Sequence, residues 1–303
     1  MLAFPEAPSA AFKDAVARIA PLRSFSAVTE AHLDHLARVV VSQRYSQLAS
    51  LPNCSRHTYL SDGEGVVHVK DEAFRLGSRG QTPAAQLREK LFSDIAQDLR
   101  LPHTAYAFKA NALTGQPDGT ISLVPQPDAR TIENVFERHE LESPPDHPYG
   151  IKPYLFLAHN PHLIPAYAAL AVFDLWPGNY DRHEENLLTD SRPAKGQAQM
   201  LCGIDLNKFK FFETAPCAIH TPLDQKPVME RLPGHIMAPA VAATLKAIET
   251  YPLSRLEQLA ARLQPLSTSW NAAAEVQHHD KRRKALRDAL HRYFPKAALS
   301  QLA

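Results

Sequence analysis

Two short polar motifs near the middle of this 303-residue chain constrain its fold more than any other feature of the sequence. The first places Asp181 five residues before Asn186, shortly after the longest nearly uncharged apolar stretch of the chain (residues 163–176). The second places Asp205 nineteen residues after Asn186, at the end of a short apolar run that predicts a strand. All three side chains offer hard oxygen donors, which suit Mg²⁺ and would make a poor zinc site.

This spacing matches the chemical needs of phosphoryl transfer. Such a reaction needs one carboxylate near the incoming hydroxyl, together with oxygen ligands that hold magnesium against the nucleotide phosphates. In a kinase, an aspartate lies five residues before an asparagine on a loop that follows a helix, and a second aspartate follows a hairpin. The predicted hairpin here has strands near residues 186–188 and 200–204. The motifs therefore indicate that Asn186 and Asp205 meet at one metal ion.

The Asn-x-Asp-Arg-His-x-x-Asn run at residues 179–186, followed by Ile-Asp at residues 204–205, resembles the HipA-like kinases. More distantly, it resembles the phosphoinositide 3- and 4-kinase group, which shares the Asp-Arg-His-x-x-Asn and Ile-Asp elements. The resemblance implies an α+β, bilobal protein kinase-like fold. Its N-lobe would be a small antiparallel sheet with one main helix, and its C-lobe would be mostly helical. The resemblance also implies that the protein binds ATP with Mg²⁺.

The resemblance implies a role for each polar residue of the two motifs. Asp181 is expected to be the catalytic base, and Asn186 and Asp205 are expected to be metal ligands. Arg182 and His183 are expected to brace the catalytic loop. The alternative is that these residues cap helices and turns in an unrelated helical protein, since Asp and Asn are common at such positions.

The N-terminal half has the pattern of a kinase small lobe. On that pattern, Lys70 at the end of the third strand would contact the nucleotide phosphates, and Glu89 on the following helix would pair with it. A strand-end lysine and a helical glutamate are otherwise ordinary surface residues, so both assignments depend on the catalytic motif. The predicted strands are residues 38–41, 57–60, 66–70, 105–110 and 120–124, and the predicted helix is residues 83–99.

Two features depart from the kinase pattern. The loop that should cover the phosphates has no glycine between residues 42 and 55, so backbone amides or the hydroxyls of Ser46 and Ser50 would have to bind them. Both serines are also ordinary turn residues. Asp205 is followed by Leu-Asn rather than Phe-Gly. Because of these departures, one alternative to an active kinase is a nucleotide-binding or degenerate kinase-fold module with a regulatory or interaction role. A second alternative is a lipid or small-molecule kinase, because the catalytic motif also occurs in lipid kinases.

The remaining elements are predicted to be mostly helical. Helical spacing predicts helices at residues 9–19 and 30–37, and at least two amphipathic helices between residues 237 and 294. The predicted elements divide the chain into an N-terminal helical extension (1–37), a nucleotide-binding N-lobe (38–125) and a C-lobe (126–303).

Surface charge gives little support to a nucleic-acid or membrane partner. The formal net charge is +1, which excludes a strong general attraction to polyanions. The basic run at residues 278–284 is expected to open a solvated helix, with an anionic partner as the alternative. Glu184 and Glu185 are expected to face solvent. The expected partner is an unidentified protein or small-molecule phosphate acceptor, and a regulatory protein partner is left open.

Cysteine usage and hydropathy favour the cytoplasm. The three cysteines, Cys54, Cys202 and Cys217, are too few and odd in number for a disulfide framework, which fits a reducing compartment. Residues 1–22 lack the apolar region of a signal peptide, and the longest apolar stretch is too short to span a bilayer. The sequence contains no GxxxxGK[ST], GxSxG, HExxH or GxGxxG motif, so other common enzyme classes find no support.

Overall fold

The structure is a computed structural model. The predicted helix at residues 30–37 and the predicted strand at residues 38–41 lie outside the residues that it describes. The strands at residues 49–50, 58–61 and 66–70 are described by their backbone alone. The described residues are 3–25, 49–50, 58–61, 66–70, 83–110, 117–123, 129–138, 151–179, 182–190, 199–206 and 229–302.

A five-stranded antiparallel sheet forms the N-terminal part of the fold. Its strands are β1 Ala49–Ser50, β2 Thr58–Ser61, β3 Val66–Lys70, β4 Tyr106–Ala110 and β5 Pro117–Leu123. Their order in the sheet is β1-β2-β3-β5-β4. The β2–β3 pair places Tyr59 opposite His68, and the β4–β5 pair places Tyr106 opposite Ser122. The sequence-predicted strands near residues 57–60, 66–70, 105–110 and 120–124 are therefore confirmed.

After this sheet the described residues are mostly helical, and the helices pack around one buried helix, α5 (Ile164–Leu175). Every residue of α5 except Pro165 is buried, as expected for a helix that is apolar on all sides. The long helix α6 packs along α5, and α1 packs on α6. The helices are α1 Ala10–Ile19, α2 Pro83–Asp98, α3 Ile132–Arg138, α4 Ile151–His159, α5 Ile164–Leu175, α6 Gly234–Glu249, α7 Leu253–Leu263 and α8 Ala272–Tyr293.

Buried ion pairs fix α2 to the C-terminal helices. Near its start, Arg88 donates to both carboxylate oxygens of Glu275 on α8, at 2.9 and 2.7 Å. At its end, Asp98 accepts from Arg255 on α7, at 2.8 and 3.0 Å. Bidentate pairs of this kind add geometric specificity as well as energy. The apolar face predicted for this helix is fully buried and consists of Leu87, Leu91, Ile95 and Leu99.

A second, three-stranded sheet adjoins the two motifs in sequence. Its strands are β6 Ala129–Thr131, β7 Leu187–Asp190 and β8 Cys202–Gly203, in the order β6-β7-β8. The first motif ends just before β7, and the second begins just after β8. The β7–β8 pair places Leu187 opposite Gly203, which confirms the predicted hairpin. Sequence reasoning missed β6, because three residues are too few to show a period.

The basic run at residues 278–284 lies inside α8, and the expectation of a solvated helix is wrong for two of its members. His279 and Arg282 are fully buried, whereas the lysines of the run are exposed. The reason is a polar contact with the end of α5. Arg282 donates to the carbonyl oxygens of Trp176 (2.6 Å) and Leu175 (2.9 Å), and the Trp176 indole donates to the His279 carbonyl (2.8 Å).

The N-terminal helix belongs to the same core as the C-terminal helices. The Ser9 hydroxyl caps α1 by accepting the Phe12 N–H (3.2 Å), and Phe12 packs edge-on against Tyr251. This confirms the helix predicted at residues 9–19. After α1, Arg23 donates to the carbonyl of Leu101 (2.9 Å), just beyond α2. In the part of the chain that the structure describes, no helix is long and apolar enough to cross a membrane.

Candidate active site

The end of α5 sets the starting point of the catalytic motif. The chain leaves the helix through Gly178, whose φ of 77° is a conformation that favours glycine. The backbone N–H groups of Gly178 and Asn179 both donate to the Asp174 carbonyl, at 3.1 and 2.9 Å. A Cβ at Gly178 would lie 2.7 Å from Arg282 Nη2, so the turn requires glycine for space as well. Asp174 therefore sits at the point where the chain turns toward the motif.

Arg182 joins the motif to this helix end. Its Nε and Nη2 donate to the two carboxylate oxygens of Asp174, each at 2.9 Å, and both residues are almost completely buried. The Asn179 amide also donates to Asp174, at 2.9 Å. Asp174 and burial act in opposite directions on Arg182, and the net effect raises the pKa of the guanidinium. Asp181 itself lies outside the described residues, although its neighbours Asn179 and Arg182 are held on both sides of it.

Arg182 also joins the two motifs to each other. Its Nη1 donates to the carbonyl oxygen of Asn186 (2.9 Å) and to that of Ile204. In addition, the Ile204 N–H donates to the Asn186 carbonyl at 3.1 Å. One buried guanidinium and one backbone hydrogen bond thus bring the two predicted metal-ligand positions, Asn186 and Asp205, next to each other.

The backbone around Asp205 is tightly held. Asp205 has a φ of 59°, which is uncommon for a residue other than glycine and is best tolerated by Asn and Asp. Its N–H donates to the Tyr106 hydroxyl at 2.7 Å. The next N–H, that of Leu206, donates to the Glu89 carboxylate at 3.3 Å. Asp205 is 4% exposed, so its carboxylate lies in a largely desolvated position.

His183 contacts the predicted metal ligand Asn186 directly. The Asn186 amide nitrogen lies 3.2 Å from His183 Nε2, and the Glu185 N–H lies 3.2 Å from Nδ1. His183 thus caps the short 3₁₀ turn Glu184–Asn186 and touches the side chain at its end. This is the contact expected of a residue that braces the loop.

The residues predicted to bind nucleotide are only partly described. Glu89 is buried on α2 and reaches the segment after Asp205. Lys70 ends β3, where its backbone pairs with Thr120, and the structure describes no more of it than that position. Ser50 lies in β1, also as backbone alone, and Ser46 lies outside the described residues. The proposed pairing of Lys70 with Glu89 therefore stays a prediction.

The two adjacent glutamates within the first motif do not both face solvent. Glu185 is exposed as expected, but Glu184 is only 9% exposed, so the expectation is wrong for Glu184. The 3₁₀ turn explains this, because it directs successive side chains to different sides. Among the residues that the structure describes, the buried Tyr167 hydroxyl on α5 has no hydrogen-bond partner, and burial raises the pKa of this hydroxyl well above its usual value.

Sequence reasoning missed three buried residues around the site, namely Asp174, Tyr106 and His103. His103 is fully buried behind Gly203, and its Nδ1 lies 2.8 Å from the Thr104 carbonyl. Burial and the nearby Arg182 lower the pKa of His103 well below its usual value, so the ring stays neutral. A carboxylate inside an otherwise apolar helix was the available signal for Asp174. Tyr106 and His103 lie in the N-terminal half and give no such signal.

The side chains present fit a hard divalent cation. Asn186 and Asp205 offer an amide and a carboxylate oxygen, the donors that Mg²⁺ prefers. Within the described ranges, no cluster of three or more His, Cys, Asp or Glu gathers around a common point. Magnesium suits such a sparse protein set, because it usually takes one or two carboxylates plus phosphates and waters. Cys202 is no nucleophile here, since burial raises the pKa of its thiol to about 12.

A small antiparallel sheet packed with the buried helix α2, followed by a mostly helical part that includes the segments at residues 182–190 and 199–206, defines an α+β kinase-like fold. A solved structure, that of the Helicobacter pylori proinflammatory kinase CtkA, is similar to this chain with a TM-score of 0.53. The match covers 84% of this chain and 95% of that one at 12% identity, so it concerns the fold. No protein-family model and no curated protein matches the sequence.

Proposed function

We propose that this protein is an ATP- and Mg²⁺-dependent kinase of the HipA-like type, which phosphorylates a hydroxyl group, with Ser or Thr of a protein as the favoured acceptor. One observation carries the proposal: Arg182 and the Ile204–Asn186 backbone bond hold Asn186 and the segment that leads into Asp205 side by side. The two side chains would then supply oxygen ligands from separate segments to one metal ion. Helix caps in an unrelated protein would have no need of this convergence. The kinase-like fold supports the same reading.

The residues of the two motifs would have distinct roles in phosphoryl transfer. Asn186 and Asp205 would hold magnesium, which neutralises charge on the phosphates during transfer. Asp181 would accept the proton of the attacking hydroxyl as its oxygen bonds to the γ-phosphorus and ADP leaves. Arg182 would keep the loop in place without touching the substrate. Positioning and electrostatic stabilisation supply most of the rate in such reactions.

Lys70 and Glu89 would complete the nucleotide site. Lys70 would contact the phosphates from the end of β3, and Glu89 would align it from α2. A carboxylate offers about four lone-pair sites, so the bond from the Leu206 N–H is compatible with Lys70 as a second partner of Glu89. Phosphate contacts from Ser46 and Ser50, or from backbone amides near them, would substitute for the missing glycines.

We further propose that the lobes correspond to residues 38–125 and 126–303, with residues 1–37 as an extension, and that the protein works in the cytoplasm. The described sheet β1–β5 falls within the first range. The buried Cys202 is present as a free thiol, which suits a reducing compartment. A lipid or small-molecule acceptor is the alternative to a protein acceptor.

The test is transfer of label from γ-labelled ATP to an acceptor, the protein itself included. We expect wild-type protein to transfer label only with Mg²⁺, and Asp181→Ala to lose about 100-fold or more of the rate while still binding ATP. Asp14→Asn, which changes an exposed carboxylate on α1, is the control and should keep the wild-type rate. Wild-type rates in Asp181→Ala would rule out the mechanism. ATP binding without transfer by wild-type protein would indicate the regulatory module.

A further inference from the structure

Three side chains hold the three consecutive backbone units around Asp205. Arg182 donates to the carbonyl before it, that of Ile204, and Glu89 accepts the N–H after it, that of Leu206. Tyr106 accepts the N–H of Asp205 itself, at 2.7 Å. The φ of 59° at Asp205 lies in a small allowed region that a free chain rarely occupies. Such a conformation persists only where the surroundings determine it.

Tyr106 is itself fixed before it reaches Asp205. The residue is 1% exposed, and its N–H donates to the Ser93 hydroxyl on α2 at 3.0 Å. Just upstream of β4, the Thr104 N–H donates to the Gly203 carbonyl at 3.0 Å, which ties the two segments together close to both residues of the contact. Two hydrogen bonds from backbone N–H groups, those of Thr104 and Tyr106, therefore fix the segment that places the Tyr106 hydroxyl next to Asp205.

We propose that Tyr106 is a positioning residue for the metal site. Its hydroxyl holds the backbone of Asp205 in the left-handed conformation, so that the carboxylate is set beside Asn186 before magnesium binds. The inference rests on the proposed function, because Asp205 is a metal ligand only within it. Tyr106 touches neither substrate nor metal in this account, and it acts through Asp205.

The substitution Tyr106→Phe tests this role because it removes the hydroxyl and keeps the ring. The Asp205 N–H then loses its acceptor, and the preset conformation competes with others. We expect the Mg²⁺ concentration for half-maximal effect, at saturating ATP, to rise about fivefold to tenfold, which corresponds to about 1–1.4 kcal/mol. In EDTA, the affinity of Tyr106→Phe for ATP should equal that of wild-type protein, because Asp205 then has no metal ion to bind.

Tyr167→Phe is the matched control. It also removes a buried tyrosine hydroxyl, but the Tyr167 hydroxyl has no hydrogen-bond partner within the described part of the chain. The Mg²⁺ concentration for half-maximal effect should therefore be the same in Tyr167→Phe as in wild-type protein. A merely structural effect of losing a buried hydroxyl would lower the melting temperature without moving the Mg²⁺ midpoint.

The Mg²⁺ titration of ATP-dependent thermal stabilisation separates the possible failures. If wild-type protein shows no Mg²⁺-dependent stabilisation, the proposed function fails. If wild-type protein responds and Tyr106→Phe has the same Mg²⁺ midpoint, the role of Tyr106 is refuted. If Tyr106→Phe does not fold, hydrogen exchange in metal-free wild-type protein decides. The Asp205 amide should then exchange at least about tenfold more slowly than an unstructured amide, and exchange at the unprotected rate would refute the proposal.

Discussion

Replacing Asp174 with alanine should destabilise the protein strongly and disrupt the site at the same time. The Asp174 carboxylate accepts three hydrogen bonds, two from Arg182 and one from Asn179, each at 2.9 Å. Arg182 has no exposed side-chain surface. In Asp174→Ala, the guanidinium would keep its charge, because the pKa of arginine is too high for deprotonation, and it would stay buried without its counter-ion.

The size of the effect follows from the burial of the pair. Removing one partner of a buried ion pair typically costs about 3–5 kcal/mol. An unfolding entropy of about 2.1 cal/mol/K per residue gives about 0.6 kcal/mol/K for the whole chain. We therefore expect the melting temperature of Asp174→Ala to fall by about 5–8 °C. The Mg²⁺-dependent stabilisation by ATP should also be lost, because Arg182 would no longer fix Asn186 and Ile204.

Asp98→Ala provides a control with nearly the same chemistry at a different place. Asp98 accepts two hydrogen bonds from Arg255 and one from Tyr251, at 2.8, 3.0 and 2.7 Å, and all three residues are buried. Its melting temperature should fall by a similar amount, while ATP with Mg²⁺ should still stabilise it. Calorimetry of both variants with and without ligand measures this. If Asp174→Ala melts like wild-type protein, or keeps full stabilisation by ATP with Mg²⁺, the reasoning is refuted.

Two further predictions concern the surroundings of the site. Gly178→Ala should lower stability by about 1–3 kcal/mol, because φ is 77° there and the added Cβ would lie 2.7 Å from Arg282; an unchanged chemical-denaturation midpoint would contradict this. Burial lowers the pKa of His103 in the folded protein below its value in the unfolded chain. The neutral ring therefore contributes its full stabilisation above about pH 6.5, and the free energy of unfolding falls by up to about 2 kcal/mol as the pH is lowered to 5. Unfolding free energies at pH 7 and pH 5 should differ less in His103→Gln than in wild-type protein, and equal differences would count against the neutral buried ring.

The fold class could be predicted from the sequence because its elements carry local signals. The helix α2 repeats apolar residues at helical spacing, and its predicted face is fully buried. Strands β2 and β3 are bounded by turn residues, and the hairpin of β7 and β8 lies between the two motifs. Charge patterns were less reliable. The run at residues 278–284 reads as solvated, yet Arg282 is buried, because its partners are carbonyls at the end of α5, about a hundred residues away in sequence.

The candidate site was predictable only where its residues belong to short sequence motifs. Asn186 and Asp205 follow from their spacing, and the structure brings their backbones together through Ile204. The Tyr106–Asp205 contact spans 99 residues and depends on the pairing of two different segments, so no local pattern reveals it. Asp174 was visible as a lone carboxylate in an apolar helix, but its two partners, Arg182 and Asn179, become evident only when the turn at Gly178 brings the chain back.

The central claim is that Asp205 belongs to a metal–nucleotide site, and one set of thermal melts tests it. Wild-type protein, Asp205→Asn and Asp190→Asn should each be melted with ATP and Mg²⁺, with ATP and EDTA, and without ligand. Asparagine tolerates the left-handed conformation, so Asp205→Asn changes the charge and keeps the backbone. Asp190→Asn is the control, because the Asp190 carboxylate is buried at the end of β7 and accepts backbone N–H groups from Gln199 and Met200.

At 100 times its dissociation constant, ATP with Mg²⁺ should stabilise wild-type protein by about 2.7 kcal/mol, and the melting temperature should rise accordingly. The account predicts that this rise needs Mg²⁺, persists in Asp190→Asn and disappears in Asp205→Asn. An equal rise in Asp205→Asn, or no rise in wild-type protein under any condition, would contradict it.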